Sequence, residues 1–76
     1  MNKARREQLN KIFSNIEEIV SRLETIRDEE QDAYDNLPES FQDSEKGQAA
    51  QQAIGYLEDA LGELDSANGN INAAQD

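Results

Sequence analysis

Residues 9–26 read LNKIFSNIEEIVSRLETI, and this stretch decides the fold. Leu9, Ile12, Ile16, Ile19, Leu23 and Ile26 follow one another in alternating steps of three and four. That is a heptad ladder, with Leu9, Ile16 and Leu23 at one seam position and Ile12, Ile19 and Ile26 at the other. A disordered segment has no cause to keep this register over several turns, so the first half of the chain reads as a helix over residues 3–35. Ala33 and Leu37 continue the ladder. Phe13 and Val20 lie beside Ile12 and Ile19 and widen the apolar stripe sideways.

A second ladder runs through Ala50, Ile54, Leu57, Leu61, Leu64 and Ile71. Its repeat is visible to the letter: AIGYLED over 53–59, ALGELDS over 60–66 and ANGNINA over 67–73. Alanine recurs at 53, 60, 67 and 74 beside the Ile/Leu seam, where small side chains let another helix approach. Glycine recurs at 55, 62 and 69, nearly opposite the seam, each costing the helix about 0.5–1 kcal/mol relative to alanine. Drift on a solvent face accounts for these glycines more simply than a second close-approach surface does. This helix is predicted over 44–68, with Asp43 or Ser44 as N-cap and a frayed tail over 69–76, where Ser, Asn and Gly are poor helix formers.

Between the ladders, Asp35-Asn36-Leu37-Pro38-Glu39-Ser40 breaks the helix. Proline removes a backbone donor and pushes Leu37 away from helical angles. Pro38–Phe41 can form one turn of its own inside an apex over 36–43. Two long helices joined by a short link fold back antiparallel. Matching the seams pairs Ala33 with Ala50, Ile26 with Leu57, Ile19 with Leu64 and Ile12 with Ile71, leaving Ile16 against Asn68 and Glu30 against Ile54. The expected fold is all-α: a single-domain, coiled-coil-like, antiparallel two-helix hairpin. Such a hairpin buries little by itself, and Phe13 and Val20 remain on an outward flank. A homodimer forming a four-helix bundle, with Phe13 and Val20 in its interface, is therefore expected.

Composition removes many functions. The 76 residues carry 17 acidic and 7 basic side chains, a net charge of −10, with no histidine and no cysteine. There is no thiolate nucleophile, imidazole base, disulfide or ordinary zinc site. Glycines spaced by seven within a helical pattern do not make a phosphate loop. Carboxylate pairs such as Asp28–Asp32 need a pocket to shift their pKa values, and a rod one layer thick offers none. The expectation is no enzyme and no cofactor. Mean hydropathy is −0.93, and no apolar run suggests a signal peptide or a membrane span. A cytoplasmic protein without membrane contact is expected.

Charge is distributed unevenly. Residues 1–11 hold Lys3, Arg5, Arg6 and Lys11 against Glu7, a local +3, whereas residues 28–45 hold eight acids and no base. In helix 1 this order opposes the macrodipole, which favours acids at the N-terminus and bases at the C-terminus. Helix stability alone therefore does not account for the acidic apex. A solvated, solubilising end is one reading. A docking surface for a basic protein patch is another, with Asp28, Asp32, Asp35 and Glu39 as charges and Tyr34 and Phe41 as anchors. The bland alternative for these aromatics is that they pack on one another and close the hairpin end. A cation site from Asp28, Asp32 and Asp35 lacks the glycine-bent loop that calcium sites use. Glu18 with Arg22 and Glu24 with Arg27 read as ordinary surface pairs. Hairpin dimers of the plasmid copy-number regulator type bind RNA along one bundle face. Four basic residues in a chain of net charge −10 make a poor nucleic-acid surface, so direct nucleic-acid binding is the weaker alternative.

The stretch RDEEQDAYDNLPES over 27–40, followed by DSEKG over 43–47 and the Leu-Glu-Asp-Ala heptads, resembles a group of small acidic helical proteins of bacteriophages and related mobile elements. Those proteins are generally of unassigned function. The resemblance covers residues 9–67 and is most specific at YDNLPES. Helix 2 departs from it in having fewer Glu and more Gly and Asn. The resemblance carries over no active residues. It implies an accessory protein that binds host or phage machinery, since acidic examples include inhibitors that occupy nucleic-acid-binding sites. The expected role is thus a small acidic protein-binding module whose apex docks on a basic surface, with a purely structural homodimer as the alternative.

Overall fold

Asn2 starts the first helix. Its backbone is extended and its side-chain oxygen accepts from the Arg5 amide at 2.8 Å, satisfying one of the donors a helix N-terminus leaves free. Helix α1 then runs Lys3–Asp35. It stops where Pro38 forbids continuation, with Asn36 as C-cap and the Leu37 amide donating to the Tyr34 carbonyl at 3.0 Å. The computed structural model describes residues 1–75 and contains two more helices, α2 (Glu39–Gln42) and α3 (Glu45–Ala73).

Helix α2 is a single turn whose Phe41 and Gln42 amides both donate to the Pro38 carbonyl, at 2.8 and 3.2 Å. Ser44 joins α2 to α3. Its hydroxyl donates to the Phe41 carbonyl and accepts from the Gly47 amide at 3.4 Å, so one side chain closes one helix and caps the next. Gly47 is buried because α3 begins hard against α2: a methyl group there would overlap the Gln42 carbonyl and stand 2.8 Å from the Phe41 oxygen. By sequence Gly47 is only a weak helix former in a first turn. Its place is required by close approach.

Helix α3 continues to Ala73, beyond Gly69, where composition predicts fraying. Tertiary contact outweighs the poor propensity. Asn68 is buried and its amide donates to the Phe13 carbonyl at 3.1 Å, and Ile71 is half-buried.

The helices lie antiparallel in a body 58 × 15 × 12 Å. On α3, Gly47, Ile54, Leu61 and Asn68 form a buried row spaced by seven, flanked by half-buried Ala50, Leu57, Leu64 and Ile71. On α1 the half-buried rows are Leu9, Ile16, Leu23, Glu30 and Phe13, Val20, Arg27, Tyr34. The seam thus differs from the expected one. Ile12, Ile19 and Ile26 are 45, 43 and 50% exposed. Phe13 and Val20, expected on the outward flank, sit instead against α3.

The physical reason is that α1 carries three adjacent apolar rows and one partner helix covers only two of them. The Phe13–Asn68 and Tyr34–Gln51 hydrogen bonds keep the two helices close to the axial register expected from the ladders. The difference is a rotation of α1 about its own axis, which brings the Phe13 row in and turns the Ile12 row out.

The core is thin. Ile54 and Leu61 are the buried apolar side chains, and none is completely sequestered. The chain exposes 5715 Å², whereas a compact monomer of 8.5 kDa exposes about 4,650 Å².

Candidate functional site

The acidic apex is assembled from the end of α1, the α2 turn and the start of α3. Asp28 accepts from Arg27, whose Nε and Nη2 both stand 3.1 Å from one carboxylate oxygen. This is the one ion pair among the described residues. The expected pairs Glu18–Arg22 and Glu24–Arg27 are not formed there; Arg27 reaches forward to Asp28 in place of Glu24. Asp32 is exposed, and its backbone carbonyl accepts from the Asn36 amide at 3.0 Å. Asp35 accepts from the Gln31 amide at 3.0 Å, and Glu39 occupies the first turn of α2.

The two aromatics are placed differently. Tyr34 is half-buried in the seam, its hydroxyl accepting from Gln51 Nε2 at 2.7 Å. It joins α1 to α3 and is committed to the hairpin. Phe41 is 57% exposed on the outer side of α2. The bland expectation that both aromatics pack away to close the end therefore describes Tyr34 only.

Electrostatically, the apex sets acids against the C-terminal dipole of α1, yet the same acids lie beside the N-terminus of α3, where negative charge is favoured. Glu45 stands in the first turn of α3. Antiparallel packing so compensates between helices what is unfavourable within one. Lys46 is the nearest base not engaged by a carboxylate, and it borders a shallow groove with Glu30, Ala33, Tyr34, Leu37 and Ala49. The eight acids remain almost unneutralised. Among the described residues no three carboxylates are grouped so as to hold a metal ion, and no helix is long and apolar enough to cross a membrane.

The two long edges of the hairpin differ. One is a groove where Phe13, Val20 and Asn68 form the floor and Glu17, Glu24 and Asp65 the rims. Asn68 is 6% exposed, and its Oδ1 has no partner. The opposite edge carries the exposed isoleucines; Ile19 and Ile26 line a small apolar recess with Leu23 and Arg22. The isoleucine row is legible as apolar in the sequence, but heptad periodicity alone places it in the interior. Tyr56, 75% exposed on α3, was not singled out by any pattern. No protein-family model, curated protein or solved structure matches this chain.

Proposed function

We propose that the protein is a small acidic binding module, an accessory protein of the phage or mobile-element kind, whose apex docks on a basic, nucleic-acid-binding surface of a partner protein in the host cytoplasm. The observation that carries this reading is Phe41. A large aromatic held 57% exposed on a capped helical turn, surrounded by unneutralised carboxylates, has the composition of an interface centre with a charged rim. The acids supply orientation and fast, salt-sensitive encounter, and the ring supplies apolar contact. Asp28, Asp32, Asp35 and Glu39 are the charges of this surface. Tyr34 supports it from within the seam.

The test uses the tip, away from the long edges of the hairpin. Immobilised wild-type protein is compared with Phe41→Ser and with Glu39→Lys/Asp43→Lys in capture from a host lysate at low and high salt. A basic protein retained by the wild type at low salt, released at high salt and lost with both variants supports the proposal. Identical captured sets for all three proteins would leave the apex a solubilising end. A second reading, a structural module that assembles with itself, is favoured by the exposed Ile12, Ile19 and Ile26.

A further inference from the structure

The uncovered isoleucine row has a counterpart on α3. Tyr34 and Gln51, joined by a hydrogen bond, mark one edge of the hairpin, and the groove of Phe13, Val20 and Asp65 lies along that same edge. Helical spacing then puts Ile12, Ile19 and Ile26 on the opposite edge of α1, and Ala53, Ala60 and Ala67 on that edge of α3. The Phe13–Asn68 and Tyr34–Gln51 contacts set the axial level, which puts Ala67, Ala60 and Ala53 about one helical turn beyond Ile12, Ile19 and Ile26. The result is a continuous face with large side chains along one helix and small ones along the other, its isoleucine row centred on Ile19. An isologous two-fold contact uses the same patch on both copies, and this face offers one.

Charge chooses the occupant. The chain exposes about 1,000 Å² more than a compact monomer of its mass, as a rod one layer thick must. The +3 of residues 1–11 and the −8 of residues 28–45 lie at opposite ends of a 58 Å rod. Only a second copy laid in the reverse direction brings unlike ends together; a copy laid the same way stacks −8 upon −8.

We infer that this face is the dimer interface of the protein, and that the two hairpins cross it antiparallel, with α1 against α1 and Ile19 facing Ile19 across the two-fold axis. In that register Arg5, one heptad before Ile12, falls against Ala33 of the other copy, beside its Glu29 and Asp32. The acids exceed the bases at each end of the dimer (−8 with +3, leaving −5), so the apex keeps its negative field. The inference is independent of the apex reading, because the residues tested lie on a different surface.

The chain has no cysteine, so single cysteines report the geometry cleanly. Light scattering and sedimentation of the full chain are expected to give twice the 8.5 kDa chain mass, with dissociation increasing about tenfold between 0.05 and 0.5 M salt as the end charges are screened. A short bismaleimide is expected to link Ile19→Cys to itself and Ile12→Cys to Ile26→Cys in a mixture. It should not link Ile12→Cys to itself, since those positions lie about 21 Å apart along the axis. These half-exposed positions carry cysteine with the fold intact, which circular dichroism verifies. Linkage of Ile12→Cys to Ala67→Cys in place of Ile26→Cys would show hairpins laid in the same direction and overturn the assignment. So would a fully helical wild-type monomer at about 100 µM chain, far above the micromolar range in which such an interface holds; the face would then belong to a different partner.

Discussion

One substitution made at four places probes the packing directly. Gly47→Ala adds a methyl group that would overlap the Gln42 carbonyl and approach the Phe41 oxygen to 2.8 Å. Both obstacles are backbone carbonyl groups of α2, whose residues are fixed by their amides donating to the Pro38 carbonyl, so neither can rotate aside. Relief requires α2 to move off α3, loosening the Ser44 cap as well. Overpacking of this kind costs about 3 kcal/mol at the upper end of its usual range, against a gain of about 1 kcal/mol in helix propensity. The expected net loss is about 2 kcal/mol, or a melting temperature lower by about 8–16 °C for a domain of this size. At Gly55, Gly62 and Gly69 the same methyl meets nothing within 4 Å. There only the propensity term operates, and each alanine is expected to stabilise by about 0.5–1 kcal/mol, with the triple variant melting about 6–24 °C higher. Thermal melts followed at 222 nm check this, all at one chain concentration because assembly shifts apparent stability. A Gly47→Ala protein as stable as the wild type would refute the close approach of α2 and α3. A loss of stability at any of the other three would show that the glycine row packs against something after all.

Other consequences are smaller. Asn68→Leu removes a buried amide oxygen without a partner and extends the Ile54–Leu61 row; urea unfolding is expected to show a gain of about 1–2 kcal/mol, and a loss would mean that the hydrogen bond to Phe13 outweighs the desolvation of the oxygen. Ser44→Ala deletes the cap of α3 and its tie to α2, for an expected cost of about 1 kcal/mol in the same assay. Phe41→Ala, at a ring 57% exposed, is expected to change stability by under about 0.5 kcal/mol; a much larger effect would make Phe41 a structural residue and weaken the case for a docking anchor. Tyr34→Phe loses the hydrogen bond to Gln51 and is expected to cost about 0.5–1.5 kcal/mol, read from the same unfolding curves.

The candidate site was legible in part. Eight acids without a base could be counted directly, and proline marked the reversal of the chain. Tyr34 and Phe41, however, look alike in sequence, each an aromatic among carboxylates. Their different exposure follows from helical phase: Tyr34 continues the Phe13–Val20–Arg27 row into the seam, whereas Phe41 lies on a separate turn whose direction is set by Pro38 and Ser44. Arg27 likewise had two acidic neighbours within reach, and rotamer geometry decided for Asp28.

Local chemistry, written in the chain itself, determined that there are two long helices, where the first ends and that they fold back on one another. Alternating three- and four-residue steps, a capping serine and a proline act over a few residues and need no distant partner. Only the tertiary structure decided which rows of those helices meet. Ile12, Ile19 and Ile26, or Phe13 and Val20 with Arg27 and Tyr34, each complete a valid ladder with Leu9, Ile16 and Leu23, so periodicity admits both. The choice depends on how side chains of α1 fit those of α3 some fifty residues away. The observed fit gathers the leftover isoleucines beside the leftover alanines on one edge, because a helix with three apolar rows packed against a single neighbour must leave one of them uncovered.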